Sequence, residues 1–177
     1  MYRHDARIKR EMKKLDKFID NNLYLYDIII YYIMRRIPNA IQLVNKIIIL
    51  EDGPKKEMPY FEKVLYSYNE MKYSGCCIGN IIYIYVDRLK TISSIIVECD
   101  KYRNINKVFI QLFIGTLAHE IYHILDCNEL NSEELIKLKE NVEKNGLDQE
   151  CEDRVNNEAI KFIKKHIRKL FRKLLLI

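Results

Sequence analysis

The chain is short of the residues that break or staple a fold. Among 177 residues only five are Gly and three are Pro, which argues against a linker-rich or disordered polypeptide. The five cysteines, Cys76, Cys77, Cys99, Cys127 and Cys151, are odd in number and form no CxxC pair. A disulfide framework and a Cys-based zinc site are both disfavoured, and reduced, buried thiols are expected. Cys76 and Cys77 are adjacent, so in extended chain they point to opposite faces and are awkward as a joint chelate. The N-terminus, MYRHDARIKREMKKLDKF, lacks the apolar run of a secretory signal. The longest apolar candidate, LYDIIIYYIM, is interrupted by Asp27 and falls short of the ~20 residues that span a bilayer. A soluble, cytoplasmic protein without a transmembrane segment is expected. Neither a DNA-reading motif nor an aromatic–basic interleave is present, so no nucleic-acid partner is expected.

What remains is enough for a real core: 49% of the residues are apolar and the net charge is a mild +5. That charge is uneven. Glu158 to Ile177 holds seven Lys/Arg against one Glu. One domain, 1–177, accommodates the length. Residues 5–35 read as helix within a helical N-terminal extension, 1–40, closed by Pro38 and Asn39. A sheet region follows over 41–87. LVNKIIIL (43–50) and IIYIYVD (81–87) are β-branched strands, EDGPKKEMP (51–59) is a loop, and 60–72 reads equally as helix or strand. SGCCIGN (74–80) reads as a turn between strands. TISSIIVEC suggests a helix within 88–103. Another occupies 104–127, with Asn106 as N-cap. Asn131, Glu134 and Gly146 are the cap, capping-box partner and stop of the next helix. The last runs over 148–177. Helix, strands, then helices make an α+β domain.

LAHEIYHILD (117–126) holds two of the four histidines. On a helix, His119 and His123 share a face, and two ring nitrogens so placed can reach one metal ion at about 2.0–2.1 Å. Glu120 is turned about 100° away, where it can act as a base rather than a ligand. Val108, Leu112 and Thr116 continue the face of the histidines, which places them inward. Gly115 leaves room for a substrate or strand to approach. Two core histidines without a metal are the plain alternative.

A catalytic zinc needs a third protein ligand and one open position. HEIYHILDCNEL has no following Gly and His, so the ligand must come from a later helix. On a helix from 149 onward, Cys151, Val155, Ala159, Phe162 and His166 form one face. Glu158 borders one edge of it and Glu152 the other. The Asn-Glu-Ala-Ile run within VNNEAIKF (155–162) resembles the second motif of thermolysin-like gluzincins. With Phe162 three residues after Ala159, it is also similar to ImmA/IrrE-type metallopeptidases and the small minigluzincins, over roughly 75–165. The resemblance implies a zincin-like fold, a small mixed sheet packed on an HExxH helix and a C-terminal Glu-bearing helix. It implies Zn2+ held by His119, His123 and Glu158, with Glu120 as catalytic base and a protein or peptide as substrate. Glu152 is the reserve ligand, and His166 is better suited to a core role. Tyr122 stands where these peptidases often carry Gly, and Asp126 is a candidate partner for the His123 ring. IIYIYVD resembles the edge strand that holds substrate beside the metal.

The expected function is a zinc metallopeptidase. The alternative is a non-catalytic binding protein with a structural or lost metal, acting through the basic amphipathic helix at the C-terminus. That helix, with Ile163, Ile167, Leu170 and Leu174 at three- and four-residue steps, suits a membrane surface or acidic partner. The favoured reading is that this apolar face packs on the domain or on a second subunit while the charges are solvated.

Overall fold

A computed structural model describes residues 2–51, 74–145 and 148–175. The loop expected at 51–59, the unassigned 60–72 and the Gly146 stop lie largely or wholly outside these residues.

The N-terminal helical stretch is two helices, α1 (Tyr2–Asn21) and α2 (Tyr24–Met34). The break falls at Asn22, whose side-chain amide donates to the Phe18 carbonyl at 2.7 Å. Asn competes with helical hydrogen bonding in this way. Residues 2–40 are no appendage. Leu15, Ile29 and Ile33 sit in the same core cluster as the residues around the histidines. Asn39 adopts a left-handed conformation (φ 63°) before the short α3 (Ala40–Leu43).

Among the described residues the sheet has three strands, β1 (Lys46–Leu50), β2 (Gly75–Ile78) and β3 (Ile81–Tyr85), in the order β1-β3-β2. β1 runs parallel to β3, and β2 runs antiparallel to it. Two sequence expectations change here. SGCCIGN is mostly strand, and only Gly79 and Asn80 turn, with Gly79 at φ 57° in the tight hairpin that pairs Ile78 with Ile81. IIYIYVD supplies the central strand, not an edge. It ends at Tyr85, and Val86 and Asp87 already belong to α4 (Val86–Cys99). Along β3, Ile82 and Ile84 point to the helices, while Tyr83 and Tyr85 point to a small cluster on the other face. That alternation follows from the two-residue period of a strand.

The centre of the molecule is α5 (Ile105–Glu129). Phe113, Ile114, Leu117, Ala118 and Ile121 are almost wholly buried, and α1 to α4, β2, β3 and the last helix all touch this one helix. By length and composition α5 is apolar enough to cross a membrane, contrary to the sequence reading, but 56% of its most apolar window is buried inside the fold. An apolar helix enclosed on most sides is what a core helix requires. Its cap is Asn104, whose side chain accepts from the Lys107 amide at 3.1 Å, rather than Asn106. α6 (Ser132–Asn145) starts with the expected box: Glu134 accepts from the Asn131 amide at 2.9 Å, and the Asn131 side chain accepts from the Glu133 and Glu134 amides.

The final helix, α7 (Gln149–Leu175), begins where Asp148 accepts from the Cys151 amide at 2.9 Å. It lies along α5. Phe162 and Leu170 are buried, and Ile163, Ile167, Phe171 and Leu174 pack against the core, so the apolar face of the basic helix is turned inward. Described Lys and Arg residues from 164 to 173 are exposed.

Candidate metal centre

His119 and His123 lie one turn apart on α5, both mostly enclosed, with their Nε2 atoms 2.9 Å apart. The carboxylate that meets them comes from Glu152, in the first turn of α7. Its Oε1 is 3.2 Å from His123 Nε2, and its Oε2 is 3.5 Å from His119 Nε2. Around an ion bound tetrahedrally at 2.0–2.2 Å, ligand atoms stand about 3.3–3.5 Å apart. The His–Glu separations, 3.2 and 3.5 Å, lie close to that edge, and the His–His separation, 2.9 Å, is shorter than it. This is the only His/Cys/Asp/Glu triad among the described residues that could hold a metal ion. Three atoms rich in lone pairs converge here, and such a convergence is stabilised by a proton or a cation.

Glu158, the ligand the sequence motif implied, is not at the centre. It is half exposed and pairs with Lys161 at 2.6 Å. It lines a separate hollow with Tyr122, Asp126 and Arg154. The reason is helical geometry. At about 100° per residue, Glu152 and Glu158 border opposite edges of the buried Cys151–Val155–Ala159–Phe162 face. α7 docks on α5 with the Glu152 edge towards the histidines, so the reserve residue occupies the third position. His166 stacks beside Phe162 and Tyr32, with centroids 4.6 and 6.3 Å away, in a core-edge role.

Glu120 is buried to 6% exposure. Burial is the main cause that raises its carboxyl, opposed in part by the two histidines, to about 7. Glu152 is held down at about 2, chiefly by its hydrogen bonds to His119 and His123. Burial pulls the His119 imidazole down, but bonding to Glu152 and the field of Glu120 outweigh it and hold the ring above the usual histidine range. Two carboxylates on neighbouring elements are thus driven apart, one kept ionised and one poised near neutrality. That split separates a ligand from a proton-transfer group.

The sequence missed several neighbours. The Asn156 side chain faces His119 and helps to raise its imidazole, one turn after Glu152 on the same edge of α7. The Cys77 thiol faces Glu120 from β2, and burial pushes that thiol up. Gly75 allows β2 to reach the helix at all. A Cβ there would stand 2.6 Å from Thr116 Cγ2, 2.9 Å from the Tyr83 carbonyl oxygen and 3.3 Å from Glu120 Cγ. Gly115, by contrast, faces Ile163 of α7 and not a strand. Behind His123, Asp126 accepts from Arg154 (Nε–Oδ1 3.2 Å, Nη2–Oδ2 2.9 Å) and from the Cys151 thiol (3.3 Å). Burial lifts the Cys151 thiol to about 12, so it stays an S–H donor.

The centre opens into a cleft of about 390 Å³ bounded by Ser74 and Gly75, by α5, and by Asn156, Ala159 and Ile163 of α7. An apolar hollow lined by Leu112, Ile163 and Ile167 adjoins it through shared Gly115 and Thr116. Among the described residues no tyrosine lines the cleft.

Comparison with protein-family models, curated proteins and solved structures gives no match to this chain. The arrangement of the residues is therefore the whole basis for a functional reading.

Proposed function

We propose that the protein is a zinc-dependent metallopeptidase with a zincin-like fold. His119, His123 and Glu152 are its ligands and Glu120 its general base. The observation that carries this reading is the convergence of the two Nε2 atoms and the Glu152 carboxylate beside a buried carboxyl at about 7. The donor set, two imidazoles and one carboxylate with cleft space on one side, suits a catalytic zinc with an open position. A bound zinc supplies a Lewis acid and makes water far more acidic.

The chain's own residues supply the rest. Glu120 takes a proton from water onto its carboxylate and returns it to the leaving amine, a task suited to a group near the working pH. Burial of Glu120 excludes competing solvent. β2 is the strand beside the cleft, and among the described residues it pairs on one side only, with β3. An extended peptide added along β2 would pass Ser74 and Gly75 with its backbone held beside the cluster. The role that sequence gave to IIYIYVD thus moves to its hairpin partner. Ser74, Thr116 and Asn156 are the further polar side chains facing the cleft.

The test is metal analysis with peptide hydrolysis in wild type and Glu120→Gln. One equivalent of zinc in both proteins, with hydrolysis lost by at least about 100-fold in the variant, is expected. Zinc in both with no hydrolysis by wild type leads instead to a binding protein with a structural metal. No zinc in wild type under zinc-replete conditions overturns both readings.

A further inference from the structure

His123 presents Nε2 to the cluster, so its remaining hydrogen-bonding position is Nδ1. Metal-binding histidines usually donate this second N–H to a carboxylate, carbonyl or water, which fixes the tautomer and the ring. Here the atom facing Nδ1 is the Cys151 sulfur, at 3.7 Å. Cys151 is 4% exposed, so bulk water does not substitute for it. Its own proton goes on to Asp126 Oδ2 at 3.3 Å, and the Arg154 guanidinium grips that carboxylate by two nitrogens.

We propose that Cys151 is a positioning residue for His123, with its thiol set between the imidazole and the Asp126–Arg154 pair. This rests on the metal-centre reading above. The chain runs from His123 Nδ1–H to the sulfur, from S–H to Asp126, and from Asp126 to Arg154. Sulfur is a weak acceptor alone. Donation to a carboxylate makes it a better one, because linked hydrogen bonds polarise each other. The placement follows from the sequence. Asp126 is three residues beyond His123 on α5, and Cys151 and Arg154 are three apart on α7, so each pair shares a helix face. Cys151 directly precedes Glu152, so one turn of α7 presents a ligand to the metal and an orienting group to another ligand. The relay also joins the C-terminal half of α5 to the start of α7, where His123 and Glu152 must meet.

The test compares wild type, Cys151→Ser, Cys151→Ala and Arg154→Met. Zinc affinity is measured by chelator competition, and site geometry by the visible spectrum of the cobalt(II) form. Cys151→Ala is expected to bind zinc about 10- to 100-fold more weakly, with an altered cobalt spectrum. Cys151→Ser, which keeps a donor and an acceptor, is expected to stay within about fivefold of wild type. Arg154 is partly exposed, so its replacement leaves the fold intact and reports the relay even where Cys151→Ala fails to fold; about threefold to tenfold weakening is expected. Wild-type affinity and spectrum in Arg154→Met, or equal loss in the Ser and Ala variants, overturns the proposal while the metal centre stands. Failure of wild type to bind zinc or cobalt overturns both.

Discussion

Two glutamates on one helix meet different neighbours, Glu152 the two histidines and Glu158 the Lys161 side chain. Glu152 and Glu158 differ in sequence by six positions, and in the folded chain by which edge of α7 they occupy. The sequence made both candidates, because each borders the buried stripe. A short motif favoured Glu158, but which edge faces α5 depends on how two long helices pack, and no local pattern encodes that. His119 and His123 were legible because their four-residue spacing fixes a shared face, and Glu120 because it directly follows the first of them, about 100° around the helix. Cys151 and Asn156 were not, since their roles arise only when α7 lies against α5.

Glu120 makes a testable statement about pH. In the metal-free protein its carboxyl stands at about 7 against an ordinary 4.5. The folded state then retains a proton that the unfolded chain has already lost. The stability contributed by this group is complete below about pH 4.5 and is lost as pH rises through about 7. The size is on the order of 2–3 kcal/mol. Urea titrations in chelator at pH 5 and pH 8 should show wild type losing stability. Glu120→Gln should lose clearly less, keeping only the part due to His119, whose raised ring acts in the same direction. A steeper loss in the variant would contradict a buried Glu120 whose burial outweighs the pull of the two histidines.

At the scale of elements, the two glycines of the cleft make opposite predictions. Gly75 has no room for a Cβ, with two neighbours inside 3.0 Å, one of them backbone. Gly75→Ala should destabilise the fold by about 1–3 kcal/mol as β2 is pushed off α5, and should depress hydrolysis more than zinc binding. Gly115 sits within a helix and would gain up to about 1 kcal/mol from a Cβ, which meets only Ile163 Cδ1 at 3.4 Å. Gly115→Ala should therefore melt no lower than wild type while narrowing the cleft, read as a raised KM. The strand IIYIYVD was readable from its β-branched and aromatic residues. Its central place in the sheet was not, because its partner, GCCI, lacks a strong strand signature and reads as turn. Helix caps were legible where a box reinforced them, as at Asn131 and Glu134, and slipped by two residues where Asn104 and Asn106 competed.

For the whole molecule, α5 is both the core and the carrier of the site. It packs against α1 to α4, β2, β3 and α7, and a metal bound only to the folded state would add stability by mass action. At free zinc about 1,000 times Kd the gain is about 4 kcal/mol, or roughly 8–16 °C in Tm for a chain of this size. Chelation should lower the melting temperature by that order, and readdition of zinc should restore it. The α+β class was legible from composition and the order of patterns. The inward turn of the basic helix was legible from its three- and four-residue steps. The docking of α7, which brings Glu152 rather than Glu158 to the histidines, was not.

The central claim is that Glu152 completes the site with His119 and His123. Zinc titration of Glu152→Ala and Glu158→Ala beside wild type tests it most directly. The account predicts at least about 100-fold weaker binding in Glu152→Ala and a full equivalent at wild-type affinity in Glu158→Ala. The reverse pattern, zinc kept without Glu152 and lost without Glu158, would contradict it.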